Sequence, residues 1–239
     1  FRAILWEKMR KIRGNQEYMN AINIEEMILF EDKDLIVCRK PEGFPVQSKR
    51  IGSMDMESAL KTYRARKGEK PYIGVVHRLD QPVQGLLVFA KNQESAGNLS
   101  KQIQQGKFEK RYLAYVEGFP KKEEGCLVDE LEKDSKNNCS RVVEGKTPGS
   151  KSAKLFYKKV KETEKGTLLE IKLETGRHHQ IRVQLAHAGM PILGDTKYNP
   201  DSQRQQLLSL CSYRLSFYHP RTKKKMEFQI KPVGNFPIV

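Results

Sequence analysis

Residues 73–91 read IGVVHRLDQPVQGLLVFAK, two apolar strand-like runs that meet at a charged turn. Pro82 and Gly85 mark the turn, and the apolar runs on either side must be buried for the chain to fold. The polar residues between them, His77, Arg78 and Asp80, therefore sit where the core begins. An aspartate at a turn ordinarily serves the local backbone, so the remaining sequence has to decide whether Asp80 does more.

The surrounding segments predict strands with interspersed helices. Ile28–Phe30 and Leu35–Val37 flank a turn at Glu31–Asp34, and Pro41 and Gly43 end the second run. Helical spacing follows over Met54–Arg66 and over Gln93–Gln105, the latter closed by Gly106. KFEKRYLAYVEGFP returns to strand character. In TLLEIKLETG, Leu169, Ile171 and Leu173 alternate with Glu170, Lys172 and Glu174, the period of a half-buried strand. RHHQIRVQLAHAG predicts a helix with Ile181, Leu185 and Ala188 on one stripe. SYRLSFYHPRTKKKMEFQI predicts a hairpin with a basic tip at Arg221–Lys225. Residues 121–150 are polar with few apolar anchors, and read as a surface excursion with short strands at most. Residues 1–24 read as a basic amphipathic helix, either an RNA-contacting arm or a packing helix. With no strict βαβ rhythm, repeat or Ser/Gly linker, the class is α+β and residues 25–239 form one domain.

Charge narrows the partners. The 239 residues carry 44 Lys+Arg against 29 Asp+Glu, a formal net charge of +15. Such a surplus favours a polyanion, most commonly nucleic acid, with salt-dependent affinity. Cys38, Cys126, Cys139 and Cys211 show no metal or disulfide spacing, which fits a reducing, cytoplasmic setting. His178, His179 and His187 cluster in sequence, but no neighbouring carboxylate or thiol completes a ligand set. No apolar stretch has membrane-spanning length. The chain begins with Phe1, so its natural start is expected upstream.

Three segments concentrate chemistry: Arg78-Leu79-Asp80, Lys110-Arg111-Tyr112, and the run from Gly176 through Arg182. At a helix start, Arg177 with Gly176 could hold a phosphate. Arg182 lies among apolar neighbours and needs a carboxylate partner, for which Asp80 is a candidate. At contact the pair is worth about 4 kcal/mol at an effective dielectric of ~20. It would keep Asp80 ionised, suited to nucleophilic work or, alternatively, to a purely structural ion pair.

HRLD followed by GLLVFAK, then EKRYLAYVEG, LETGRHHQIRVQLAHAGMPILGDTKY and RLSFYHPRTKKKMEF, with EDKDLIVCRKPEGFPV before them, resemble the RluA-type pseudouridine synthases. The resemblance runs in order from Glu25 to Phe228. It implies a mixed, largely antiparallel central sheet with flanking helices and loops and an active-site cleft across it. It implies isomerisation of uridine in structured RNA (rRNA or tRNA) by base flipping, without cofactor or metal. The protein is expected to be cytoplasmic and a monomer. Carried residue by residue, it makes Asp80 the essential aspartate and Arg78 the side chain that enters the space left by the extruded uridine. Tyr112 becomes the base-stacking tyrosine and Arg182 the basic partner of the aspartate. His77, Arg177 and Gln180 are expected at the substrate.

Val83-Gln84 stand where the family usually carries Thr-Ser, His178 where Thr is common, and Gln184 where His is common. The optional small S4-type RNA-binding domain does not show in these residues. The alternatives are a catalytically silent RNA-binding or ribosome-assembly factor on the same scaffold, which the Val83-Gln84 departure would permit, and a metal-dependent nuclease. For the nuclease, Asp80 and Asp195 are the candidate carboxylates.

Overall fold

A computed structural model describes residues 23–48, 53–202, 207–234 and 236–237. The helix expected over residues 1–24 falls almost wholly outside them. The described residues divide into two compact units, one formed by those up to Gln105 together with Phe217–Met226, the other by Gly106–Ser216 with those after Met226.

In the first unit a short helix α1 (Ile24–Met27) leads into β1 (Ile28–Glu31) and β2 (Leu35–Lys40). Helix α2 (Met56–Arg66), the two-residue β3 (Gly74–Val75), β4 (Gln84–Ala90) and α3 (Gln93–Gln104) follow. β1 pairs with β2, β2 with β4, and β3 with β4, all antiparallel. Every residue of β4 is buried, as a continuous apolar run demands. Asp55 and Ser58 form a reciprocal capping box that starts α2, and the Asn92 side chain accepts from Ser95 N at 2.8 Å to start α3. Both helices lie within two residues of their expected bounds.

In the second unit the strands are β5 (Glu109–Val116), β6 (Glu124–Asp134), β7 (Cys139–Val143), β8 (Lys151–Thr163) and β9 (Gly166–Leu173). Helix α4 (Gln180–His187) and strands β10 (Leu210–Tyr218) and β11 (Lys225–Gln229) complete the chain. The lateral order in this unit is β10, β5, β9, β8, β6, β7, with antiparallel pairing at each step. Val183 of α4 packs on Leu131 and Ala153, with Val142 and Tyr198 beside them. The α+β class with largely antiparallel strands is therefore as expected.

The polar stretch 121–150 differs from its reading as a surface excursion. It contains the whole of β6, an 11-residue strand, and all of β7. β6 holds its place through backbone pairing to β8 from Glu124 to Leu131 and needs only Leu131 as a buried apolar anchor. Strands whose faces meet water show no hydrophobic run, so polarity alone concealed them.

Candidate active site

Asp80 lies in the segment between β3 and β4, and its backbone carbonyl accepts from Val83 N at 3.0 Å to close the turn. Gly85, the second residue of β4, has φ +138°, a conformation that side chains rarely adopt. Arg78 is exposed beside it, Leu79 is buried, and His77 accepts from Val88 N at 3.1 Å through Nε2. Val83 and Gln84 are both buried, so packing supports the turn where the family usually offers hydroxyls.

The turn is fastened by a residue that the sequence reading passed over. Lys40, at the end of β2, is completely buried. Its ammonium donates to Pro41 O at 2.8 Å, Phe44 O at 2.7 Å and Gln81 O at 2.9 Å, one proton to each. Gly43 N also donates to Gln81 O, and the Gln81 side-chain amide returns a bond to Gly43 O, each at 2.9 Å. Residues 40–44 are thus stitched to the residue that follows Asp80. Burial pulls the Lys40 pKa down to about 7, while the negative charges of Glu42 and Asp80 act to raise it. Only the Lys-Pro of the RKPEGFP run hinted at this role, because a lysine ordinarily reads as surface.

In the second unit Tyr112 is buried on β5, opposite Ile171 of β9 and Ser212 of β10. Arg182 is buried in α4 and makes a two-pronged pair with Asp195, Nε to Oδ2 at 2.8 Å and NH2 to Oδ1 at 2.7 Å. Asp195 also accepts from Lys197 N at 3.0 Å. It is delivered by Gly194, where φ is +81° and a β-carbon would collide with Leu207 O. Within its own unit Arg182 thus has a carboxylate partner in Asp195, a residue that the sequence offers only to a metal nuclease.

A hydrogen-bond chain surrounds the guanidinium. It lies 5.1 Å from the centre of the Tyr198 ring. Tyr198 OH accepts from Ser140 N at 2.7 Å and pairs with His179 Nδ1 at 2.8 Å. His178 stacks on His179 with ring centres 3.8 Å apart and pairs with Ser140 Oγ at 2.9 Å. Burial, seconded by the Arg182 charge, lowers the His179 pKa to about 3, so the ring is neutral and adds no positive charge beside Arg182. Through Ser140, β7 is tied to the start of α4.

Two expectations change in detail. The helix does not begin at Arg177 but at Gln180, after His179 in a left-handed conformation (φ +52°). The Arg177 amide is spent on Gln180 Oε1 at 2.9 Å, and its Nε donates to Ser152 O at 2.9 Å, so its backbone is no phosphate cradle. Gln180 is buried with its amide on Thr175 and Lys154 as well, which makes it the organiser of its loop. Asp32, Asp34 and His219 alone among the described residues have the grouping for a metal ion, and they already pair with one another and with Arg221. The three histidines of the sequence cluster are not part of it.

Residues 34–187 match the family model described as RNA pseudouridylate synthase. An uncharacterized RNA pseudouridine synthase of Aquifex aeolicus is 36% identical over 91% of this chain and 72% of its own. Ribosomal large subunit pseudouridine synthase C of Buchnera aphidicola is 32% identical over 93% of this chain and 71% of its own. tRNA pseudouridine synthase C of Haemophilus ducreyi is 31% identical over 83% and 88%. Among solved structures, human RNA pseudouridylate synthase domain containing 4 covers 97% of this chain and 95% of that one. Its TM-score is 0.76 at 21% identity, a likeness of fold.

Proposed function

The chain belongs to the RNA pseudouridylate synthase family, and from that membership we propose that Asp80 carries its reaction, served by Arg78, Tyr112 and Arg182. The activity is isomerisation of uridine to pseudouridine in RNA. The bond from C1′ to N1 breaks and one from C1′ to C5 forms. C5 then gives up its proton, and N1 gains one. Nothing is oxidised or reduced.

The C1′–N1 bond cannot be reached inside a stacked helix, so the nucleotide must be extruded. Exposed Arg78 takes its place in the stack. Tyr112 stacks on the extruded base, an interaction worth about 1–3 kcal/mol. Asp80, ionised, acts as nucleophile or as stabiliser of developing positive charge. Arg182, fixed by Asp195, supplies the cation of the reaction centre. The single observation that supports this reading best is the fastening of the Asp80 turn by a fully buried ammonium on three carbonyls. A turn serving only as a connection has no need of such an anchor.

The named relatives act on large-subunit ribosomal RNA or on tRNA, and we assign this chain the same substrate class and a cytoplasmic setting. Pseudouridine mapping of ribosomal RNA and tRNA from cells with and without the gene tests the assignment. One or more uridines should lose modification on deletion and regain it with the wild-type gene. An unchanged map in both RNA classes would overturn it and leave an RNA binder on the same scaffold.

A further inference from the structure

We propose that Lys110 is a substrate-binding residue that takes an RNA phosphate next to the nucleotide held by Tyr112. This rests on the reading of Tyr112 above. Lys110 precedes Tyr112 by two positions on β5, so both side chains project from the same face of the strand. Its ammonium reaches the turn before α4, where a β-carbon on Gly176 would lie 3.6 Å from Nζ.

Lys110 is only partly open to solvent. Among the described residues it makes no ion pair and no side-chain hydrogen bond. Its neighbours in sequence are all engaged. Glu109 pairs with Arg111 at 2.6 Å, and Arg111 reaches Glu170 at 2.6 Å on the opposite face. Burial alone holds the Lys110 pKa below the usual lysine range, with no charge acting to restore it. A charge placed so, without a counter-ion, weakens the fold unless an anion arrives.

Lys40 shows how this protein completes a buried ammonium when the role is internal. Lys110 has no such set of carbonyls. It faces instead the Gly176-Arg177 turn, where glycine leaves room and the exposed Arg177 adds positive charge. A compact ammonium that meets a phosphate as a point charge fits this position. The phosphate contact that the sequence assigned to the backbone at a helix start is thereby moved to a side chain on the neighbouring strand.

The test compares Lys110→Met and Lys110→Arg with Lys172→Met, which removes the same charge from the exposed opposite face. Binding to an unmodified ribosomal RNA transcript and an unmodified tRNA transcript is measured by filter retention across a salt series, beside thermal unfolding. Lys110→Met should weaken binding to the RNA of the preferred class about tenfold at low salt. It should lower the slope of log affinity against log salt by about one unit. On the turned-over RNA its loss should fall on KM more than on kcat, and its Tm should equal or exceed that of the wild type. Lys110→Arg should recover most of the binding. Equal losses in Lys110→Met and Lys172→Met would overturn the proposal, as would an unchanged salt slope or a lowered Tm without rescue by Arg. The binding arm needs no turnover. A wild-type protein that binds RNA but forms no pseudouridine would therefore contradict the activity, while the salt slopes still decide the phosphate contact.

Discussion

The Asp80 turn in one unit and the Gly176–Arg182 segment in the other hold their cations in opposite ways. Lys40 gives all three of its protons to main-chain carbonyls and is sealed from water. Around the second segment, Arg182 is met by the Asp195 carboxylate, whereas the Lys110 ammonium has no hydrogen-bond or ion-pair partner among the described residues. A cation bonded on all sides is a structural rivet, whereas one left short of partners is available to a ligand. The contrast assigns rigidity to the turn that presents Asp80 and receptivity to the strand that presents Tyr112.

The largest effect should come from breaking the buried pair. Asp195→Ala removes the carboxylate that makes a two-pronged pair with buried Arg182, and urea unfolding should show a loss of about 3–5 kcal/mol. Replacing both partners with apolar residues (Arg182→Met with Asp195→Leu) should restore much of that stability but not pseudouridine formation. Recovery of both together would demote Arg182 to packing.

Lys40→Met should follow in size. It strands carbonyls at about 1–3 kcal/mol each, partly offset by the relief of burying one charge less, so about 2–4 kcal/mol is expected in the same unfolding assay. Set beside a Lys110→Met variant that loses nothing, this result would sharpen the contrast, and equal losses at the two lysines would erase it.

A subtler effect concerns His179. Its folded pKa, about 3, lies below the ordinary value of 6.5. Between these values the unfolded chain binds a proton that the folded chain refuses, so stability falls as pH drops from about 6.5 toward 3. His179→Asn, which tolerates the left-handed backbone, should flatten this part of the stability curve. Parallel curves for the two proteins would contradict the neutral assignment. The smallest effect is expected from Ser140→Ala, about 1 kcal/mol, through loss of the hydroxyl that bonds His178.

Much of the fold was legible because it follows from side-chain spacing. The alternation at Leu169, Ile171 and Leu173 and the unbroken run of β4 announced strands. Gly106 marked the end of α3, whereas its Asn92 cap was not singled out. What spacing could not reveal was stabilisation that runs through the main chain. β6 and β7 exist largely by pairing, with Leu131 the one apolar side chain of the two strands that is buried. The Asp80 turn, Arg78 and Tyr112 could be singled out from the motif segments. The pairing of Arg182 with Asp195 could not, because Asp195 stands thirteen residues on and is delivered by the left-handed turn at Gly194. Gln180, read toward substrate, is consumed by Thr175, Arg177 and Lys154, a local bonding pattern that residue type does not encode.

The proposed chemistry turns on one carboxylate. Purified Asp80→Asn, checked for native circular dichroism and an unchanged unfolding midpoint, should be mixed in excess with the RNA that the wild type modifies, and pseudouridine followed in a single turnover. A rate reduced by at least ~10³-fold with RNA affinity retained is the predicted result. A folded Asp80→Asn protein that converts its uridine within tenfold of the wild-type rate would contradict it.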